Sequence, residues 1–318
     1  MDFLADTNRT ASVLTRLRSI GERAAPTAGD SPAVSFEFFP PTDPEMESVL
    51  WTSVRRLATL APRFVSVTYG ADGSTRDRTL DVVSRLSDET TLTVAPHITS
   101  IGSSRESVRE LARYYWSKGI RPIVALRGDA PGASPSHVPS ADEFRWGLDL
   151  VRGLRSVAGF EISVAAYPEV HPEARNSGDD LDNLRRKIGA GATRAITQFF
   201  FGNSSYLRFR DDCAATGVDV PIVPGILPIL RFSQVQRFAR RCGASIPASI
   251  ARRFEGLEDD ADTRRLIGTA IAIEQVDHLR RHGVTDFHFY TLNRSDMTYA
   301  TCHAIGVRAN KPITVSPA

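Results

Sequence analysis

Short apolar runs rich in β-branched and aromatic residues recur along the chain, separated by longer helix-like stretches. The runs are Val34–Phe39, Phe64–Tyr69, Leu92–Ile98, Pro122–Leu126, Ile162–Tyr167, Ala195–Phe201, Pro221–Ile226 and Phe287–Leu292. Each has the length and residue types of a buried strand. Between them, Pro44–Leu60, Arg76–Leu86, Ser104–Lys118 and Leu181–Gly189 read as helices. Polar capping types stand at Thr42-Asp43, Ser103-Ser104 and Asp179-Asp180. The gap from Ile226 to Phe287 holds more than one helix, including Asp262–His282. Eight strand–helix units with no hairpin pattern predict an α/β fold, a single-domain (β/α)8 TIM barrel over residues 31–308. An open doubly wound sheet is the alternative. Residues 1–30 are expected to form a peripheral segment and 309–318 a tail.

Alternation along a strand assigns faces. Phe36 and Phe38 share one face of the first run, while Ser35, Glu37 and Phe39 share the other. The phenylalanine pair suits packing against helices, so Glu37 points into the barrel. Ser66 and Thr68 share a face of the second strand, as Ser163, Ala165 and Tyr167 do of the fifth. These small or polar sets suit a barrel mouth that admits a ligand. Glu37 is the most informative position, because it sits among phenylalanines at a strand end closed by Pro40-Pro41. Lost hydration disfavours a charged carboxylate there, so Glu37 is either paired by a hidden partner or held as a proton donor.

Composition narrows the setting. The chain has 318 residues, 42% hydrophobic and 24% charged, an ordinary soluble balance with no composition break to divide it. A net charge of +2 gives no reason to expect nucleic acid or an anionic membrane as partner. Arg-Arg pairs such as Arg240-Arg241 and Arg252-Arg253 alternate with Glu255, Asp259 and Asp260, as on solvated helix faces. Cys213, Cys242 and Cys302 are scattered, which argues for a reducing compartment and against disulfides or a zinc ribbon. No secretory signal and no apolar run near the ~20 residues of a membrane span is present. A cytoplasmic protein is expected.

The predicted strand ends carry Glu37; Thr68-Tyr69-Gly70; His97; Arg127-Gly128-Asp129; Tyr167 to His171; Gln198; Pro224-Gly225; and Asn293-Arg294. In a (β/α)8 barrel these ends converge on one site. Gly128 permits close backbone approach to a flat ligand, although Arg127 and Asp129 also suit a local ion pair closing a turn. His97 reads as a proton carrier, a cofactor contact or a buried hydrogen-bonded histidine. Asp180, Asn183, Arg186 and Lys187 follow on one helix. Asn183 lies beside Arg186 and Lys187, a diphosphate clamp or a solvated basic face.

Other motifs fail. Gly189–Arg194 begins like GxGxxG but ends in arginine and precedes a strand. No Walker loop or GxSxG occurs. His278 and His282 are four apart, but no glutamate follows His278 and no third ligand is evident, so no metal is expected.

The strings Val34–Pro41 (VSFEFFPP), Val65–Gly70 (VSVTYG), Ile123–Asp129 (IVALRGD), Ser163–Ala174 (SVAAYPEVHPEA), Ala195–Phe201 (AITQFFF), Pro224–Pro228 (PGILP) and Asp286–Arg294 (DFHFYTLNR) resemble bacterial methylenetetrahydrofolate reductases. The resemblance runs in order from about Ala33 to Val307. It implies an FAD-binding barrel that reduces methylenetetrahydrofolate to methyltetrahydrofolate, serving one-carbon metabolism and methionine synthesis. NADH or NADPH would give hydride to FAD and leave before the folate binds. Glu37 matches the family's proton donor to the folate nitrogen, and its apolar setting is expected to keep the acid protonated. Asp129 matches the aspartate that modulates the flavin and contacts the pterin.

The resemblance further places FAD against Tyr69, Ala71, His97, Arg127, Gly128, Asp129, Tyr167, His171, Ala174, Asp180, Asn183, Arg186 and Lys187. Thr68 becomes a nicotinamide and flavin contact. Gln198, Gln234, Phe238 and Arg294 become folate or nicotinamide contacts, with Phe238 stacking on either substrate in turn. Trp146 and Gly147 stand where the family has a tyrosine and an alanine near the flavin, after a proline- and serine-rich stretch from Ala130. A homo-oligomer, such as a tetramer, is implied. The chain leaves no room for the regulatory domain of eukaryotic relatives, so inhibition by S-adenosylmethionine is not expected. Another flavin barrel, such as one oxidising proline, and a flavin- or folate-binding protein without turnover are the alternatives. A lyase on a flavin-free barrel needs a strand lysine, and none of the eight runs has one.

Overall fold

A computed structural model describes residues 31–69, 76–128 and 140–309. Its parallel strands are β1 (Ala33–Phe38), β2 (Val65–Val67), β3 (Val94–Thr99), β4 (Pro122–Leu126), β5 (Glu161–Ala166), β6 (Arg194–Thr197), β7 (Ile222–Val223), β8 (Gly225–Ile226) and β9 (Asp286–Tyr290). They pair in the order β7-β6-β5-β4-β3-β2-β1-β9-β8. Only Pro224 separates β7 from β8, so the two ends of this sheet are one extended segment. Its first half pairs with β6 and its second with β9, which closes the predicted ring.

The break falls at the residue that lacks an N–H. The Pro224 carbonyl still accepts from the His288 N–H at 3.0 Å. Gly225 N–H turns instead to Thr197 Oγ1 at 2.9 Å. A Cβ on Gly225 would lie 2.2 Å from the Thr197 carbonyl oxygen, so only glycine admits this close approach.

Helices alternate with the strands: α1 (Pro44–Ala58), α2 (Arg76–Glu89), α3 (Arg105–Ser117), α4 (Gly147–Val157), α5 (Ser177–Gly189) and α6 (Asn203–Ala215). The long gap before β9 holds α7 (Phe232–Cys242), the short α8 (Ala248–Ala251) and α9 (Ala261–Arg281), and α10 (Asp296–Ala304) follows β9. Asp43 caps α1 by accepting from Met46 N–H at 2.8 Å, with Pro44 at the first helical position. Ser104 caps α3 in the same way through Ser107 N–H.

Two boundaries differ from expectation by four residues. Helix α5 begins at Ser177, not Leu181, because Asn176 is the cap and accepts from Asp179 N–H at 2.9 Å. Asp179 and Asp180 therefore occupy the first turn, where carboxylates face the positive end of the helix. Strand β6 stops at Thr197, short of the expected Phe201. Phe199 and Phe201 leave the sheet and join Leu227, Ile229 and Val235 in a second apolar cluster.

The main core lies between ring and helices. Phe36, Phe38, Phe287 and Phe289 are fully buried there, with the Phe36 and Phe289 rings 6.2 Å apart. Inside the ring, Phe64, Ala95, Val124 and Ile196 form a small apolar layer. Arg194 lies over the Phe64 ring at 5.2 Å, and Arg63 pairs with Asp286 at 3.2 Å. This filling closes the interior from the strands' N-terminal side and leaves their C-terminal ends open. Among the described residues, no helix is long and apolar enough to cross a membrane.

Candidate active site

A cavity of ≈330 Å³ opens at the C-terminal strand ends. Seven of the sequence-predicted site residues line it: Glu37, Thr68, Tyr69, His97, Tyr167, Gln198 and Phe238. Six come from strand ends and Phe238 from α7, so the split strand's long downstream connection supplies one wall. Phe39, Val124, Leu126, Ala165, Ile196, Phe199, Leu227 and Leu292 make the remainder largely apolar.

Glu37 projects from β1 into this cavity, as alternation requires. The phenylalanines flanking it in sequence point the other way, into the outer core. Its neighbours are instead two buried imidazoles. Glu37 Oε2 lies 3.4 Å from His97 Nε2 and 3.6 Å from His288 Nε2. The sequence leaves Glu37 either paired by a hidden partner or held as a proton donor; strands distant in sequence bring two imidazoles beside it, while Phe36 and Phe38 face away. Burial lowers the His97 pKa, opposed by Glu37 and reinforced by His288.

Residues at the end of β9 hold the Glu37 backbone. Thr291 Oγ1 donates to the Glu37 carbonyl at 2.6 Å. The Asn293 carboxamide accepts from Phe39 N–H at 3.0 Å and donates to the Phe39 carbonyl at 2.8 Å. Leu292 and Asn293 adopt left-handed φ values of 50° and 56°, and asparagine tolerates this conformation better than most residues.

A second group lies beside the cavity, on the ends of β4 and β5 and on α5. The Tyr167 and His171 rings meet edge to face at 4.5 Å. Asp180 accepts from His171 N–H at 2.8 Å, which ties α5 to the β5 loop. Burial depresses the His171 pKa against the opposing pull of Asp180 and Glu173. Arg127 pairs with Glu173 at 2.7 Å and lies 5.8 Å from the Trp146 ring centre. Gly128 adopts φ 85°, the left-handed conformation that favours glycine. Lys187 Nζ donates to the Ala165 carbonyl at 2.9 Å. Burial pushes its pKa down to about 8, with Asp180 opposing.

Arg186 is exposed and pairs with Asp182 at 3.0 Å, so Arg186 and Lys187 take different partners. Ala174 and Asn183 are partly buried, and a Cβ on Gly147 would reach the Lys187 side chain at 3.8 Å. Gln234 on α7 is half-buried, while Arg294 is exposed; neither lines the cavity. Ala71 and Asp129 lie outside the described residues.

Sequence reasoning missed Tyr290 and His288 as site residues. The Tyr290 phenol lines the cavity and donates to the Thr197 carbonyl at 2.8 Å; burial first, then Glu37, raises its pKa. Alternation carried through β9 places Asp286, His288 and Tyr290 on one inward face, which was the available pattern.

Comparison with known proteins identifies the family. A family model described as methylenetetrahydrofolate reductase matches residues 23–306. The chain is 55% identical over 275 residues to 5,10-methylenetetrahydrofolate reductase of Escherichia coli, covering 86% of this chain and 91% of that one. Against the protein of the same name from Buchnera aphidicola subsp. Schizaphis graminum, identity is 48%, covering 86% and 91%. Methylenetetrahydrofolate reductase (NADH) 1 of Arabidopsis thaliana is 34% identical, covering 88% of this chain and 48% of that one. A solved structure of an uncharacterized Clostridium thermocellum protein that binds two copies of 5-methyl-5,6,7,8-tetrahydrofolic acid shares the fold. Its TM-score is 0.61 at 15% identity, covering 93% of this chain and 97% of that one. With a family model spanning most of its length and relatives above half identity, the chain belongs to the methylenetetrahydrofolate reductase family of oxidoreductases.

Proposed function

We propose that this protein reduces 5,10-methylenetetrahydrofolate to 5-methyltetrahydrofolate with NADH or NADPH, using FAD, and so feeds methionine synthesis. The observation that carries the reading is Glu37: a carboxyl inside an apolar cavity, at the barrel end where this fold concentrates its chemistry. The folate's methylene bridge must open before its carbon can accept hydride. Opening leaves an iminium and needs a proton on the departing nitrogen. Glu37 supplies that proton as general acid, a contribution of roughly 10²–10⁴ in rate.

The donor set suits FAD. Apolar walls with the Tyr167 and His171 rings offer a surface for a flat ring system. Arg127, Lys187 and, at the rim, Arg186 offer cations for a diphosphate, in place of their present pairing with Glu173, the Ala165 carbonyl and Asp182. Thr68, Tyr69, His97, Gly128, Trp146, Gly147, Ala174, Asp180 and Asn183 complete the assigned contacts, with Ala71 and Asp129 carried by the resemblance. FAD would carry hydride from the nicotinamide to the folate, the nicotinamide product leaving first. Gln198 and Phe238 line the cavity where either substrate would lie, and Gln234 and Arg294 are assigned to its approaches. Asp129 is assigned to the pterin and the flavin. We further take residues 31–308 as the catalytic unit, the protein as cytoplasmic, and its state as homo-oligomeric.

Anaerobic spectroscopy tests the reading. Purified protein should be yellow, bleach with NADH or NADPH, and recolour with methylenetetrahydrofolate. Colourless protein that binds no FAD, or reduced protein that the folate leaves bleached, would remove it.

A further inference from the structure

Beneath Glu37 lies a buried polar group that the reading above does not use. His288, wholly buried on β9, turns Nε2 toward Glu37 Oε2 at 3.6 Å, and that nitrogen has no hydrogen-bond partner. Its Nδ1 lies 2.8 Å from the hydroxyl of Ser35, also wholly buried. Among the described residues, Ser35 Oγ has one further hydrogen-bond contact, the Phe287 carbonyl at 3.4 Å. Drawn with the serine proton on that carbonyl, Ser35 accepts from His288, which then carries its proton on Nδ1 and aims the Nε2 lone pair at the carboxyl. Drawn with the serine proton on Nδ1, Nε2 carries the hydrogen instead; we take the first arrangement.

A lone pair on a wholly buried imidazole, facing a carboxylate that is 20% exposed at the cavity, leaves an acceptor opposite an acceptor. One added proton resolves this, whether drawn on Glu37 or on His288. We propose that Glu37 and His288 hold a single proton between them, with Ser35 fixing which imidazole nitrogen faces the carboxyl. This deepens, and rests on, the assignment of Glu37 as the acid of the folate step. When the proton passes from Glu37 to the folate nitrogen, the pair falls from net charge zero to minus one. One proton must return to balance it. It returns from the cavity side, because Ser35 leads only to a carbonyl that has no proton to give.

The other groups around the pair are accounted for. From β3, His97 Nε2 lies nearer the same Glu37 oxygen, at 3.4 Å, and it too has no hydrogen-bond partner; burial disfavours its charged form, so the proton is left with Glu37 and His288. From the residue before β2, the Phe64 ring stacks on His288 at 5.7 Å. On β9 itself, the Tyr290 ring meets His288 edge to face at 5.4 Å, and Asp286 is engaged by Arg63 and by the charge of Arg194. His288 is therefore a positioning residue that acts through Glu37.

Nitrogen NMR of ¹⁵N-histidine-labelled, FAD-loaded protein reads the tautomer directly. The His288 signals, identified by their loss in His288→Asn, should show a protonated Nδ1. Protonation on Nε2 alone in the resting protein would overturn the shared proton. Ser35→Ala should weaken the Nδ1 preference, and an unchanged spectrum would remove Ser35 from the arrangement. In both variants the alkaline fall-off of the folate half-reaction should move about one pH unit lower, roughly tenfold in rate above it. The nicotinamide half-reaction serves as internal reference. An unmoved folate profile, or an equal shift in both half-reactions, would assign His288 a purely structural role. If His288→Asn does not fold, Ser35→Ala and the wild-type spectrum still decide. If wild-type protein shows no folate step, the assignment of the reaction falls while the nitrogen spectra still test the pair.

Discussion

The Tyr290 phenol on β9 donates to the Thr197 carbonyl on β6 at 2.8 Å, bridging the split strand that closes the barrel. Gly225 lies against both partners. A Cβ there would sit 2.2 Å from the Thr197 oxygen and 2.6 Å from the Tyr290 ring. Gly225→Ala should cost about 1–3 kcal/mol through overpacking against backbone that cannot rotate away. Urea unfolding of the variant measures it, and a stability equal to wild type would show that the seam relaxes freely.

Asn293 brackets the Phe39 peptide with two hydrogen bonds while holding a left-handed φ. Asn293→Ala loses both bonds and puts a less tolerant residue in that conformation. A loss of about 1–3 kcal/mol is expected from the unpaired, partly buried peptide and the strain. Neighbouring Arg294 is exposed, and Arg294→Ala should stay within about 0.5 kcal/mol of wild type. Equal losses at the two positions would deny Asn293 its clamping role.

Glu37→Gln keeps the shape of the side chain and removes its acidity. Flavin bleaching by NADH should survive, while reoxidation by methylenetetrahydrofolate should slow by roughly 10²–10⁴. Stopped-flow absorbance separates the two steps. Parallel loss of both would make Glu37 structural.

Lys187 carries a pH dependence. Its pKa in the fold is about 8 because burial disfavours the ammonium. Unfolded lysine titrates near ~10.4, so between these values the unfolded chain binds more protons. Stability rises with pH across that window and is lost as pH falls back toward about 8. Wild type should therefore gain on Lys187→Met as the pH climbs from about 8 to ~10.4. Denaturation of both proteins at matched pH gives the difference, and a flat difference would show that the ammonium is not desolvated.

The barrel was legible because eight β-branched runs alternate with helices, and Glu37 because strand alternation fixes its face. What escaped was set by contacts distant in sequence. Nothing near Glu37 in the chain announces His288, which lies on the opposite edge of the pairing that joins β1 to β9. Asn176 displaced Asp179-Asp180 as the α5 cap because both kinds of residue serve that role, and packing of the β5 loop chose between them. Phe199–Phe201 looked like strand because an apolar run is the same whether it pairs in a sheet or fills a second core. Arg186 and Lys187 are adjacent in sequence, yet one reaches the barrel wall while the other meets Asp182 in solvent.

The pairing of β1 with β9 also bears on the order of synthesis. The bonds from Thr291 to Glu37 and from Asn293 to Phe39 each span 254 positions. A ribosome completes β1 early and β9 last, so the growing chain carries an open strand edge until nearly the whole barrel has emerged. Such an edge invites pairing with other chains. Glu37 gains the Thr291 hydrogen bond on its backbone and its His288 neighbour only when that edge is covered.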